Sequence, residues 1–262
     1  VESGAIPLRS APGLSLLNRA SLPPQLGLYA DGERLAALSR YTGEPGELAF
    51  LDGLATSLPY RLGPRRRVLL LGLGGGMGLL QAHRHDAEAV LAVDPDARRL
   101  ALFQQDYGDF VGWPLLAGRS SLLAAELRAY AAAPGPVFDL IQLSLLEGGI
   151  AYGEPYGLTV AALRGYWRRL APGGVLSLSV PLRLPPLEAL KLVATARAAL
   201  AEEGQSRPDQ HLAVLEGWRG VVVLVKRGVW TPSEGRAAAD FCRGRAFTLA
   251  WFPGRPAPSD SP

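Results

Sequence analysis

The stretch VLLLGLGGGMG, residues 68–78, is the part of the sequence that decides the fold. An apolar run that reads as a buried strand passes directly into five glycines within seven residues, 72–78. Glycine recurs where a chain turns sharply and where its backbone must approach a ligand closely. A strand, a glycine turn and a following helix place backbone N–H groups where they can hold a nucleotide. The stretch therefore predicts the first strand of an α/β fold, followed by a ligand-binding turn.

The spacing of these glycines separates two kinds of ligand. A dinucleotide fold requires G-x-G-x-x-G. Starting from Gly72, the third glycine of that pattern falls on Met77, and the register that starts two residues later fails too. The tighter G-x-G-x-G of Gly72, Gly74 and Gly76, with Gly75 inside it, is typical of folds that bind an adenosylmethionine-type nucleoside. A glycine-rich turn that binds nothing is the alternative.

A second polar position ends the next apolar run, AVLAVDPD at 89–96. Asp94 lies roughly 20 residues beyond the glycines, where an acid can accept hydrogen bonds from a ribose diol. The alternative is that Asp94 caps a helix, because Pro95 follows it and proline favours the first helical position. The two roles are compatible.

Composition excludes several classes of protein. The 262 residues are 48% apolar and 19% charged, which is enough apolar material for a sizeable core. The net charge of +3 is modest and the basic residues are scattered, so we expect no nucleic-acid groove. The single cysteine, Cys242, excludes a disulfide framework and a zinc cluster. His83 and His85 point to different faces of a helix, so we expect no metal. No apolar run is long enough to span a bilayer.

Strand and helix patterns alternate from residue 68 onward, which favours a parallel sheet with helices on both faces. The predicted strands are 68–72, 89–94, 115–117, 137–143, 174–180, 212–216 and 220–226. The predicted helices are 77–85, 96–105, 120–132, 158–170, 186–203 and 232–243. Only GWRG separates the last two strands, which is too short for a parallel crossover, so they should pair antiparallel. RAFTLAWFPG offers a short final strand.

Three segments are predicted along the chain. Residues 1–62 form an N-terminal arm, a β-hairpin and a helix, since LYADGERLAAL has apolar runs around Asp31-Gly32 and GELAFLDGLATSLPY has helical spacing. Residues 63–254 form the main domain, and residues 255–262 form a disordered tail. The predicted fold class is α/β: a Rossmann-like, doubly wound, mostly parallel sheet that ends in an antiparallel strand pair and follows a small N-terminal hairpin.

The order of LYADGERLAAL, AFLDGLATSLP, the glycine loop, FDLIQLSLLEG and RRLAPGGVLSLSV resembles the spermidine synthases, over about residues 26–226. The likeness is greatest to divergent bacterial relatives, some of them fused to membrane-spanning segments. It implies a class I adenosylmethionine-dependent methyltransferase fold, in which decarboxylated adenosylmethionine gives an aminopropyl group to putrescine. The implied donor substrate is S-adenosylmethionine or decarboxylated S-adenosylmethionine, with no metal. The implied location is the cytoplasm, at the membrane if the segment belongs to a longer chain.

The family's polar residues carry over only in part. Where the family has a Glu-x-Asp motif whose Glu holds the ribose, this chain has Ala92 and Asp94. After strand three the family offers an acid near the adenine, whereas this chain has Arg119 in that neighbourhood. The acids that follow strand four in the family align with Ser144 and Glu147, which become the candidate catalytic residues. The resemblance assigns donor binding to Gly72, Gly74, Gly75, Gly76, Asp94 and Arg119.

The acceptor side is expected to lack what a polyamine needs. A polyamine is a dication, and its site must supply carboxylates that bind it and take a proton. Phe50 and Leu51 replace the family's Tyr-Gln pair, and Leu145 and Leu146 follow Ser144, so we expect an apolar acceptor pocket. We therefore expect a nucleoside-binding domain that does not perform ordinary aminopropyl transfer.

Three functions remain open on these grounds. The chain is a spermidine synthase-like transferase, a methyltransferase on an unknown acceptor, or a non-catalytic ligand-binding module of a larger membrane-associated protein. The expected partner is a small-molecule nucleoside donor. We expect no nucleic acid and no membrane insertion by this segment, and a homodimer is left open.

Overall fold

The structure is a computed structural model that describes residues 9–30, 32–146 and 156–255. A small sheet near the start is the predicted hairpin, in which β1 (Gln25–Ala30) pairs antiparallel with β2 (Glu33–Ser39). Gly32 in the turn has φ +81°, the left-handed conformation that a tight hairpin turn requires. The hairpin prediction is confirmed.

The larger sheet has eight strands among the described residues. In chain order they are β3 (Arg67–Leu71), β4 (Ala89–Asp94), β5 (Ser120–Ala124), β6 (Phe138–Ser144), β7 (Leu170–Pro181), β8 (Leu212–Glu216), β9 (Gly220–Lys226) and β10 (Thr248–Trp251). Their order across the sheet is β10-β8-β9-β7-β6-β3-β4-β5. The strands from β7 to β5 are parallel, and β8, β9 and β10 join by antiparallel pairing. This is the doubly wound, mostly parallel sheet that the sequence predicts.

Helices cover both faces of this sheet. They are α1 (Leu58–Arg61), α2 (Met77–Arg84), α3 (Ala97–Ala101), α4 (Gly108–Val111), α5 (Trp113–Leu116), α6 (Leu127–Ala132), α7 (Val160–Arg168), α8 (Leu187–Glu202) and α9 (Pro232–Arg243). A π-helical turn, Leu102–Asp106, continues α3. In the described parts of the chain, no helix is long and apolar enough to cross a membrane.

Alternate side chains of the central strands enter two separate cores. Val68 and Leu70 of β3 pack with residues of α2, α3 and α9, whereas Leu69 and Leu71 pack with residues of α6, α7 and α8. All four side chains are 3% exposed or less. Since successive strand residues point to opposite faces, burial on both faces explains why this strand is a continuous apolar run. By the same alternation, Gln142 of β6 and Ser177 of β7 lie on the face of the sheet that α2 covers.

The predicted third strand was misplaced. Residues 115–117 were expected to be this strand and 120–132 a helix, but the structure has α5 over Trp113–Leu116 and β5 over Ser120–Ala124. Trp113 and Pro114 open α5, where proline is favoured because it lacks an N–H group that would have no partner. β5 lies at the edge of the sheet and four of its five side chains are partly or fully exposed. It therefore lacks the apolar run by which the other strands are recognised.

The predicted N-terminal helix is mostly 3₁₀ in character. Two 3₁₀ segments, Pro45–Gly53 and Ala55–Ser57, precede the single turn of α1. Leu48, Phe50 and Leu51 are buried within the first segment, so its apolar pattern reports burial correctly but not the helix type. The predicted disordered tail lies outside the described residues except for its first residue, and so do the first eight residues of the predicted arm.

Candidate functional site

A cavity opens beside the carboxyl end of β3, at the point where the strand order reverses. The chain proceeds from β3 to β4 and β5 on one side, and β6 and β7 then lie on the other side. In open α/β sheets ligands bind in the crevice outside the strand ends at such a switch point. The cavity is lined by Pro12, Leu54, Thr56, Leu70, Leu71, Gly72, Leu73, Gly74, Met77, Gly78, Gln81, Arg99, Gln142, Leu143, Ser144, Ser177 and Ser179.

The glycine loop forms one side of this cavity. Gly72, Gly74 and Gly76 have φ of +92°, +54° and +82°, values that side-chain-bearing residues rarely adopt. A Cβ at Gly72 would meet nothing within 4 Å, so the backbone there stays open. Gly72 and Gly74 line the cavity, and the loop leads directly into the first turn of α2. These two residues are therefore placed to approach a ligand.

Gly75 and Gly76 are glycines for a different reason, which is contact within the protein. A Cβ at Gly75 would overlap the backbone carbonyl of Ala37 in β2, and a Cβ at Gly76 would overlap the ring of Phe103. The hairpin and the π-helical turn thus pack closely against the glycine loop at these two positions. Both residues shape the loop and are not among its cavity-lining residues.

Asp94 holds the glycine loop to the end of β4. Its carboxylate is fully buried, at 0% exposure, and accepts hydrogen bonds from the Leu73 N–H group at 2.8 Å and the Asp96 N–H group at 2.9 Å. Arg99 Nη1 donates to the same carboxylate at 3.0 Å. Asp94 does not cap α3. Asp96 does, because its side chain accepts from the Arg98 and Arg99 N–H groups.

Arg99 stands between Asp94 and the cavity. The guanidinium lines the cavity and keeps 18% of its side chain exposed, whereas Asp94 is enclosed behind it. Asp96 retains 45% side-chain exposure, and its second oxygen lies 3.8 Å from Arg99. Sequence reasoning did not single out Arg99 or Asp96. Asp96, two residues beyond the predicted acid, is therefore an exposed carboxylate beside Arg99.

The correction of the third strand also changes the expected adenine side. Arg119 precedes β5, and its carbonyl accepts from the Val90 N–H group at the start of β4. It therefore lies at the amino edge of the sheet, opposite the glycine loop. The residues that follow β5 are Ala125 and Glu126, and Ala125 donates to the Asp94 carbonyl at 3.2 Å. Glu126 is exposed, so a carboxylate does follow β5, the third strand of the larger sheet in chain order.

The two candidate catalytic residues are placed only in part. Ser144 ends β6, is exposed and lines the cavity, and its Oγ accepts from the Leu146 N–H group at 3.4 Å. Glu147 lies outside the described residues. No Asp or Glu is present among the described residues that line the cavity. This part of the site offers hydroxyl and amide groups where a polyamine site needs charge.

A polar wall, which we define as Gln142, Ser177 and Ser179, forms the part of the cavity lining that comes from β6 and β7. The three residues are 9%, 1% and 2% exposed. Tyr60 donates to Gln142 Oε1 at 3.1 Å. Burial raises the pKa of Tyr60 well above its ordinary value of 10, with nearby Arg65 opposing, so the phenol keeps the proton that it donates. The sequence does contain a signal for this wall, since single polar residues interrupt the apolar runs FDLIQLS and VLSLSV.

The residues expected to make the acceptor side apolar lie elsewhere. Phe50 and Leu51 are fully buried in a cluster with Leu48, Leu54 and Leu80, and neither lines the cavity. Leu145 and Leu146 do not line the cavity either. The cavity lining instead combines apolar side chains such as Leu54, Leu71 and Leu143 with the uncharged polar groups of the wall.

His83 of α2 and His85, the residue that caps its C-terminal end, are engaged in side-chain contacts. His83 Nε2 lies 3.2 Å from the Tyr41 hydroxyl, and His85 stacks on Tyr60 with its Nε2 3.5 Å from Asp52. Burial lowers the pKa of both histidines. Within the described ranges, no group of three or more His, Cys, Asp or Glu residues could hold a metal ion.

Comparison with known proteins finds likeness at the level of structure. No family model and no curated protein matches the sequence. A probable spermidine synthase from Corynebacterium glutamicum superposes with a TM-score of 0.56 at 18% identity, over 85% of this chain and 80% of that chain. A spermidine synthase in complex with the transition state analogue AdoDATO gives 0.54 at 14% identity, over 78% and 67%. Human methyltransferase-like protein 13 in complex with SAH gives 0.50 at 17%, over 76% and 93%.

These structures share the fold with this chain, at identities that speak for the fold alone. The preceding hairpin and the mostly parallel sheet with antiparallel final strands complete the agreement with the sequence-based resemblance. The chain therefore has the fold that spermidine synthases share with class I adenosylmethionine-dependent methyltransferases.

Proposed function

We propose that this chain binds an adenosylmethionine-type nucleoside at the glycine loop and is a transferase domain whose reaction is not aminopropyl transfer to putrescine. One observation carries the proposal. The lining of the cavity at the switch point includes both an open glycine backbone and an uncharged polar wall. The first feature suits a nucleoside donor, and the second does not suit a polyamine.

The donor side has groups that fit a nucleoside. The open backbone at Gly72 and the position of Gly74 in the cavity lining admit close approach of a ligand, as binding at a strand-to-helix turn requires. Asp96 and Glu126 lie outside the cavity lining and supply exposed carboxylates after β4 and β5. We assign them to a ribose diol and an adenine amino group that extend beyond the cavity. Asp94 supports the loop from behind. The AdoDATO and SAH bound by two structures of the same fold support an adenosyl ligand here.

The acceptor side argues against putrescine. Its two ammonium groups would have to leave water for a cavity whose described lining contains no carboxylate. Burying a cation without a counter-charge is costly. The attacking amine also needs a base, and a serine hydroxyl such as that of Ser144 cannot accept a proton at neutral pH.

The uncharged polar wall favours a methyltransferase as the second candidate function. Methyl transfer needs a bound donor and an oriented acceptor, and the acceptor need not be a cation. A ligand-binding module without catalysis would show the same donor binding and no turnover. Binding experiments therefore come before activity assays.

Calorimetric titration with S-adenosylmethionine, its decarboxylated form and methylthioadenosine tests the proposal. We expect at least one of the three to bind, and Gly74→Val to abolish that binding because a branched side chain enters the cavity. Glu126→Gln, at an exposed position, should weaken binding without unfolding the chain. Gly118→Ala is the matched control, since a Cβ there meets nothing within 4 Å. The absence of binding by all three nucleosides would contradict the proposal, and so would unchanged affinity in a folded Gly74→Val protein.

A further inference from the structure

The polar wall is built by the register of two neighbouring strands. β6 and β7 pair in parallel with Gln142 opposite Ser177 and Ser144 opposite Ser179. Because side chains two residues apart share a face of a strand, these four polar groups lie together on the face that α2 covers. Val68 and Leu140 occupy the same face nearer the amino end and are fully buried. The face thus changes from apolar to polar where the cavity begins.

Two hydroxyl groups of this wall have no partner in the described structure. Ser177 Oγ and Ser179 Oγ are inaccessible to solvent and make no hydrogen bond among the described residues. Their side chains are 1% and 2% exposed and both line the cavity. An unsatisfied buried hydroxyl group costs free energy. Valine or alanine at the same strand positions would be buried without that cost. Because both residues line the cavity, a ligand bound there is the candidate partner for these hydroxyl groups once their side chains rotate toward it.

The amide of Gln142 is oriented from behind the wall. Its Oε1 accepts from Tyr60, and its Nε2 donates to the Thr56 carbonyl at 3.4 Å and to Gln81 Oε1 at 3.5 Å. Both amide protons are therefore used, and one lone pair of the carbonyl oxygen remains. With the two serine hydroxyls, the wall presents groups that can each accept a hydrogen bond, two of which can also donate.

The charge of the cavity lining limits which ligand groups the polar wall can bind. Arg99 is the only charged side chain in the described lining, and it is paired with Asp94 beside the glycine loop. The wall can orient an uncharged group by hydrogen bonds, but it cannot neutralise an ammonium group. We propose that Gln142, Ser177 and Ser179 form an acceptor subsite that binds an uncharged, hydroxyl-bearing group of the second substrate. This inference rests on the proposed function, because the nucleoside occupies the neighbouring part of the same cavity.

A pair of isosteric probes tests the charge preference. 1,4-Butanediol has the same carbon chain as putrescine but carries hydroxyl groups in place of ammonium groups. With the protein saturated by methylthioadenosine, ligand-observed NMR should detect binding of the diol and no binding of putrescine. Binding of putrescine as strong as that of the diol would overturn the proposal, and so would the absence of diol binding. If methylthioadenosine does not bind, the same test is made with whichever of the other two nucleosides binds, and failure of all three would instead contradict the proposed function.

Substitution of the two serines separates a binding role from a structural one. Ser177→Ala with Ser179→Ala should weaken diol binding about two- to tenfold for each hydrogen bond lost. The affinity for methylthioadenosine should not change. The melting temperature of the free protein should stay the same or rise, because two unsatisfied hydroxyls are removed. Ser121→Ala, on the exposed edge strand β5, is the matched control. It should change neither the affinity for the diol nor the melting temperature. A lower melting temperature with unchanged diol binding would show that the serines are structural and would overturn the proposal.

Discussion

Asp94 is the residue on which the glycine loop depends. Three donors converge on its buried carboxylate, from Leu73, Asp96 and Arg99. Asp94→Asn should lower the free energy of unfolding by about 2–4 kcal/mol, because the amide turns a donor toward one of these groups and Arg99 loses its charge partner. Chemical denaturation followed by circular dichroism measures this change. Nucleoside affinity should fall as well, since the loop loses its anchor.

Asp96→Asn is the matched control for this substitution. Asparagine caps helices nearly as well as aspartate, and Asp96 is 45% exposed, so stability should change by less than about 0.5 kcal/mol. The same substitution should weaken nucleoside binding if Asp96 contacts the ribose. An Asp94→Asn protein as stable as the wild type would contradict the anchoring role.

Gly75 distinguishes packing from ligand binding within one loop. Gly75→Ala places a Cβ against the Ala37 carbonyl of β2, which is backbone and cannot rotate away. The hairpin must then shift, and we expect a loss of about 1–3 kcal/mol in stability. Differential scanning calorimetry should show a clearly lower melting temperature than for Gly118→Ala, where a Cβ meets open space. Equal melting temperatures for the two variants would show that the hairpin does not rest on the loop.

At the scale of elements, the C-terminal end of α2 and its cap residue should make stability depend on pH. Burial lowers the pKa of His83 and His85 below the ordinary 6.5, with Arg119 adding to the effect at His83 and Asp52 opposing it at His85. The unfolded chain therefore takes up protons that the folded protein refuses. The stability that the neutral histidines provide is complete above pH 6.5 and is lost as the pH falls below that value.

Urea denaturation between pH 8 and pH 5 measures this dependence. The double variant His83→Gln with His85→Gln should lose less stability over the range than the wild type, whatever its stability at pH 8. A wild-type curve that is flat from pH 8 to pH 5 would contradict the prediction.

Elements with complete local signals could be predicted well from the sequence. α9 spans the predicted residues because Thr231 and Glu234 form a capping box at its start and Pro232 occupies the first position. β9 is a run of five apolar residues between a glycine and a lysine, and its bounds were also predicted. β5 was misplaced because an exposed edge strand has no buried face to impose a pattern. The 3₁₀ segments were predicted as helix because burial of Leu48 and Leu51 satisfies both geometries.

At the scale of the whole molecule, the site was predicted less well than the fold. The glycine loop is contiguous in sequence, so its spacing could be read directly. The polar wall joins residues from β6 and β7, and the register that aligns Gln142 with Ser177 is a property of the assembled sheet. Arg99 lies at the cavity paired with Asp94, a contact between residues of two different elements. The strand that is β5 in the structure was predicted too early in the sequence. The acid expected to follow it was therefore sought near Arg119 and not at Glu126.

The whole molecule also decides the final prediction, which concerns spermidine formation. From decarboxylated adenosylmethionine and putrescine, chromatography should detect no spermidine or only a trace, because a positioned base contributes about 10²–10⁴-fold in rate and the described cavity lining holds none. Ser144→Asp restores one acid at an exposed strand end, with Ser144→Asn as the uncharged control. We expect little rescue, since one carboxylate cannot hold two ammonium groups while the facing wall of Gln142, Ser177 and Ser179 stays neutral. Robust transfer by the unmodified protein, or full rescue by Ser144→Asp alone, would contradict this prediction.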